Sequence, residues 1–297
     1  MNEIDSSVPA KSLESHKSSW RFREAMEANV GMVTKIKDVT GWENFYNLKP
    51  GINPVIATTH LSDVDVQIGA NIFSNLVDVG VASMQTNQTD ALIGKLVALA
   101  GKDNFFDVFN TFEKGKANFR LDSQNFLLMA QAMNERDKTM IIASHSPHYE
   151  GYGNRVLPEV PGLAAVIVAN LTDRVILPVA IEFQDEGRIG MSEDIVESVL
   201  KKVKGDTPSS SVHIAEPIIL DDGGIPHELI TQKDEVLQAL QLFNSKSRKE
   251  MSSEDKAKGL EIFRKLQKQG EIVLMAQASE LPPESRGIWQ ERLAAKD

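Results

Sequence analysis

The chain has 297 residues, 41% hydrophobic and 25% charged, enough for a large core in one α/β domain with helical additions or in two domains. Its net charge of −10 speaks against nucleic acid as the main partner, and confines any attraction to anionic lipid to a local basic patch. There is no cysteine, which excludes thiolate nucleophiles, cysteine-bound zinc and disulfides.

Residues 1–17 mix Ser, Lys, Glu and Pro without period and read as a loose tail. Acids at Glu3 and Asp5 fit no signal peptide. From Trp20 to about Asn47 the apolar positions Phe22, Ala25, Met26, Val30, Met32, Val33 and Ile36 follow a helical period, ended by Pro50-Gly51. Pro54-Val55-Ile56 opens a buried strand. A helix follows, with Val64, Ile68, Ile72 and Leu76 four residues apart. Gly80 to Met84 reads as a second strand and Ala91 to Val97 as a helix. Phe105 to Phe112 is aromatic-rich and of undetermined type.

A helix is expected from about Ser123 to Asn134, with Phe126, Met129, Ala130 and Met133 on one face. Met140 to Ala143 is a buried strand, and the irregular stretch Ser144 to Pro161 follows it. A short helix runs from Pro161-Gly162 to about Asn170, then a strand from Val175 to Ile181. Val212 and Ile214 alternate in a further strand between Ser211 and Leu220. Lys233–Phe243 and Glu254–Lys268 are helical, and the mixed charges from Lys246 to Lys258 mark a solvated face. Alternating strands and helices imply an α/β fold: a mixed, largely parallel sheet with helices on both faces, plus N- and C-terminal helical segments. The expected organisation is a tail (1–17), an N-terminal helical segment (18–50), an α/β core (51–222) and a C-terminal helical segment (223–297). The longest apolar stretch, Leu163 to Ile181, is broken by Asn170, Thr172, Asp173 and Arg174, so no transmembrane helix is expected. The cytoplasm or another soluble compartment follows, peripheral contact with a membrane being compatible.

The chemistry concentrates in Ala57-Thr58-Thr59-His60-Leu61-Ser62-Asp63-Val64-Asp65. His60 falls at a strand-to-helix corner and Asp65 in the first helical turn, within reach of the imidazole. The positive end of the helix disfavours imidazolium and keeps the ring neutral, as a base must be. Asp63, two residues before Asp65, points roughly 200° away around the axis. Ser62-x-x-Asp65 also has the form of a capping box with Asp at its third position, which would make His60 an ordinary loop residue.

His-x-Ser-x-x-Asp after an apolar strand resembles the His-x4-Asp block of the glycerol-phosphate and lysophosphatidate acyltransferase family. The resemblance spans about Pro54 to Phe183. A second block, an aromatic and an Arg before a helix and after a Gly, is matched by Gly115, Phe119 and Arg120, with Lys116 beside them. The third block, Phe-Pro-Glu-Gly-Thr-Arg in the family, is where this chain departs. Either Ser144-His145-Ser146 replaces Pro-Glu-Gly directly, or an insertion makes Glu150-Gly151 the matching pair and Arg155 its basic partner. The fourth block, an apolar strand carrying Pro, is matched by Ile176 to Ile181 around Pro178.

The resemblance implies an O-acyltransferase of phospholipid biosynthesis. It would move a fatty acyl group from a thioester, acyl-CoA or acyl-carrier protein, to a hydroxyl of a glycerol-phosphate-like or other alcohol acceptor. His60 would be the general base and Asp65 its orienting partner. Lys116 and Arg120 would hold an acceptor phosphate, and Glu150 and Gly151 would help hold the acceptor. No cofactor, metal or nucleic acid is implied, and a transient membrane surface is compatible. The substrate hydroxyl takes the part of a protein nucleophile, consistent with the lack of cysteine and of a Gly-x-Ser-x-Gly elbow. Two rivals stand beside this. His145-x-x-His148 with Glu150 offers ligands for a metal-dependent hydrolase, although the usual helical zinc motif spaces its histidines by four. A non-catalytic lipid-binding relative would explain the altered third block by loss of activity.

Overall fold

The computed structural model describes residues 17–49, 53–62, 64–83, 101–107, 112–113, 116–117, 123–145, 155–184, 203, 205, 207–243 and 245–295. The first half comprises α1 (Trp20–Val33), β1 (Lys35–Thr40), α2 (Trp42–Tyr46), β2 (Val55–Thr58), α3 (Asp65–Phe73), β3 (Val79–Ser83), β4 (Phe105–Asp107), β5 (Phe112–Glu113), β6 (Lys116–Ala117) and α4 (Ser123–Arg136). Then come β7 (Thr139–Ala143), α5 (Ala164–Thr172), β8 (Ile176–Phe183), β9 (Ser209–Ile214), α6 (Lys233–Leu240), α7 (Ser245–Glu250), α8 (Ser253–Glu280) and α9 (Trp289–Ala294). The helix expected at Ala91 to Val97 lies outside the described residues.

Seven strands form one sheet in the order β1-β9-β8-β2-β7-β3-β4. All neighbours are parallel except β8 and β9. The four strands expected near 54–58, 80–84, 139–143 and 175–181 therefore lie in one mixed, largely parallel sheet. The central strands are buried on both faces, hence their unbroken apolar runs. Val55, Ala57, Met140, Ile142 and Ile176 pack on one face with α4, α5, α6 and α8. Ile56, Ile141, Leu177, Val179 and Ile181 pack on the other with α1 and α3. The alternation is the period of two that a pleated strand imposes.

The 18–50 segment is not wholly helical. After α1 the chain extends at Thr34 and enters β1, which pairs in parallel with β9 at the sheet edge. Val30, Val33 and Ile36 suit a continuing helix by spacing, but Thr34, Ile36, Val39 and Thr40 are β-branched, and an available sheet edge outweighs the local period. Thr34 Oγ1 marks the turn by donating to the Pro208 carbonyl at 3.1 Å. Gly41 follows β1 at φ 76°, and a Cβ there would collide with the Ile214 carbonyl, so only glycine fits.

The C-terminal helices belong to the same body. α8 runs twelve residues past the expected end at Lys268, to Glu280. Ser252 caps it, accepting from Asp255 N at 3.0 Å. Its buried positions include Ile262, Leu266, Val273, Leu274, Gln277 and Ala278. Gly270 brings it close to the chain before α5: a Cβ at 270 would lie 2.8 Å from the Pro161 side chain.

Candidate active site

Connection order decides where a site can form. The crossover from β2 through α3 reaches β3 by passing β7, while the crossover from β7 through α5 reaches β8 by passing β2. The two leave β2 and β7 in opposite directions, which opens a crevice beyond the carboxyl ends of these strands, where ligands of open α/β sheets bind. His60 lies two residues beyond the end of β2 and His145 two residues beyond the end of β7. The register pairs Thr58 with Ala143, so the same offset sets the two histidines side by side.

His60 is partly exposed, whereas its polar neighbours are buried: Ser62 and His145 are each 2% exposed and Asp65 0%. The Nδ1 atom of His60 lies 2.8 Å from the Ser62 carbonyl oxygen. A carbonyl can only accept, so in this contact Nδ1 carries the hydrogen, and in the neutral ring Nε2 carries the lone pair. Ser62 in turn is held by Asp65. Its backbone N–H donates to Asp65 Oδ2 at 2.8 Å and its hydroxyl to Oδ1 at 3.0 Å. The same hydroxyl accepts from Val64 N at 3.3 Å.

Asp65 is the first residue of α3, and its two bonds to Ser62 fix the peptide whose carbonyl orients His60. The orienting role expected of the Asp65 carboxylate is taken, at Nδ1, by the Ser62 carbonyl. The backbone N–H of His60 donates to His145 Nε2 at 2.9 Å, and the two rings stand 6.4 Å apart between centroids.

The floor of the crevice is polar and was not legible beforehand. Gln277 of α8, 0% exposed, donates through Nε2 to the carbonyls of Ala57 at 2.7 Å and Val179 at 3.1 Å. Its Oε1 accepts from the Ser144 hydroxyl at 2.7 Å. One side chain therefore ties β2, β8 and the start of the third block together. The available signal was a lone polar residue in the helical run Ile272 to Ala278. Beside it Leu61 packs with Leu157, Ala180, Leu274, Leu281 and Trp289, closing one wall. The Trp289 indole N–H donates to the Pro158 carbonyl at 2.8 Å.

Of the other expected site residues, Lys116 has its backbone in β6, paired with Glu113 of β5. Arg120, Glu150 and Gly151 lie outside the described residues, as do Asp63 and His148. Arg155 sets its guanidinium 5.2 Å from the Phe183 ring centroid and donates to the Phe183 carbonyl at 3.1 Å. Among the described residues no cluster of three His, Asp or Glu side chains could hold a metal ion, and no helix is long and apolar enough to cross a membrane. Compared with known proteins, the chain matches no family model and no curated protein.

Proposed function

We propose that the chain is an O-acyltransferase of the His-x4-Asp type, moving a fatty acyl group from a thioester to a hydroxyl of a glycerol-phosphate-like acceptor. The observation that carries this is the His60–Ser62–Asp65 arrangement at the switch point of the sheet. A buried carboxylate holds a peptide, the peptide carbonyl holds Nδ1–H, and the lone pair is left on Nε2 of a partly exposed ring. A general base needs these properties.

In the reaction, His60 Nε2 takes the proton of the acceptor hydroxyl as its oxygen attacks the thioester carbonyl. The tetrahedral oxyanion collapses, the C–S bond breaks, and the leaving thiolate takes the proton from the imidazolium. The start of α3 supplies backbone N–H dipoles near the developing negative charge. Lys116 and Arg120 are the residues assigned to an acceptor phosphate, Arg120 through its bidentate fork.

The contact made by His145 weighs against the hydrolase. Its Nε2 accepts the His60 N–H, so a metal on that nitrogen would have to displace a backbone hydrogen bond. The deciding experiment incubates the protein with labelled acyl-CoA or acyl-carrier protein and a panel of alcohols with and without phosphate. Transfer to an alcohol that disappears in His60→Ala is expected. Acyl-chain binding without transfer would favour the lipid-binding relative, and metal-dependent hydrolysis of the same esters would favour the hydrolase.

A further inference from the structure

We propose that His145 is a positioning residue for His60, holding the main chain of the base through a ring nitrogen where a parallel sheet would ordinarily use a carbonyl. The inference rests on the acyltransferase reading for its kinetic arm only. Beyond the paired ends of β2 and β7 the backbone ladder continues for one rung on each side. Ser144 N donates to the Thr58 carbonyl at 2.8 Å, and Thr59 N donates to the Val179 carbonyl at 3.0 Å. The next donor, His60 N–H, meets His145 Nε2 at 2.9 Å. The last acceptor of the ladder is thus an imidazole.

That ring is built in. It is 2% exposed, and the residue before it is held by two hydrogen bonds. Gly162 N donates to the Ser144 carbonyl at 2.7 Å, and a Cβ at 162 would stand 3.0 Å from the His145 Cα, so the chain before α5 lies directly on it. Gln277 accepts from the Ser144 hydroxyl at 2.7 Å. With its backbone immobile, His145 fixes the height of the His60 Cα, while Ser62 fixes the tilt of the His60 ring. Together they set where Nε2 points. An error of about 1 Å in such a position can cost roughly 10²-fold in rate.

The contact has a chemical signature. An acceptor Nε2 requires a neutral His145 ring with its hydrogen on Nδ1. His60 also carries its hydrogen on Nδ1, donated to Ser62. Both rings must therefore hold the Nδ1–H tautomer, which is the less favoured one for a free histidine side chain.

The test is ¹⁵N NMR of histidine-labelled full-length protein, with His145→Leu and His145→Gln beside the wild type. The Gln variant offers an oxygen that can accept the His60 N–H; the Leu variant offers none. Both wild-type rings are expected in the Nδ1–H tautomer. In His145→Leu the His60 ring signals should move toward a tautomer mixture, and kcat should fall about 10–100-fold with KM little changed. His145→Gln should restore most of both. An Nε2–H tautomer at His145 in the wild type would overturn the proposal without any variant. So would a His60 spectrum unaltered by Leu, or equal damage from Gln and Leu in folded protein. If no substrate turns over even with the wild type, the acyltransferase reading fails, while the spectra still decide the positioning role.

Discussion

The two ends of the same parallel strands carry polar clusters of opposite character. At the amino ends, Lys138 before β7 places Nζ 2.7 Å from Asp78 Oδ2 and 2.8 Å from Asn104 Oδ1. Ser18 joins them, donating to Asp78 Oδ1 at 3.3 Å and accepting from Val79 N at 2.8 Å. Charge meets counter-charge, and the result staples the start of α1 to the sheet. At the carboxyl ends, Asp65 accepts from the neutral donors of Ser62, whose carbonyl in turn meets His60 Nδ1. A cluster of paired charges holds elements together. A cluster that sets the protonated nitrogen of one partly exposed ring is what the proposed proton transfer would require.

The sharpest break between the ends should come from His60→Ala. It is expected to lower turnover about 10²–10⁴-fold while leaving the melting temperature nearly unchanged, as read by labelled-acyl transfer and a thermal scan. In the wild type, the rate should fall as the pH is lowered, because a protonated His60 cannot accept the hydroxyl proton. A rate flat from about pH 5 to 8 would remove histidine from the chemical step.

Asp65→Asn sharpens the comparison within the site. Orientation relayed through Ser62 predicts a loss of about 10–100-fold, as for residues that hold a functional ligand from behind. A carboxylate acting on the ring itself predicts about 10⁴. A pure cap predicts a lower melting temperature with turnover per folded molecule intact.

Lys138→Met tests the other end. The Asp78 side chain is 33% exposed, so the cost should be about 2 kcal/mol, below the 3–5 kcal/mol of a fully buried pair, measured by denaturant unfolding. Activity of the folded fraction should be unaffected, and a large fall in kcat would erase the division of labour between the ends. The smallest effect is expected from Asp63→Asn, which lacks the His-x4-Asp spacing, and its transfer rate should match the wild type.

The sequence by itself determined the fold class, the four central strands, the corner that carries His60 and the helix start that carries Asp65. These are local matters: apolar runs bury strands and a period near 3.6 marks helices. Tertiary structure alone decided the rest. The edge strand β1 exists because β9 offers it a partner, which no local period reveals. Gln277 reaches Ala57 of β2 and Val179 of β8 across 220 and 98 residues of sequence, respectively, and His145 reaches His60 across 85. Most telling is the tautomer of His60. The spacing named an Asp as the orienting group, and the structure puts the Ser62 carbonyl 2.8 Å from Nδ1. Where a carbonyl points depends on the backbone path through Ser62, which the Asp65 carboxylate holds at the start of α3.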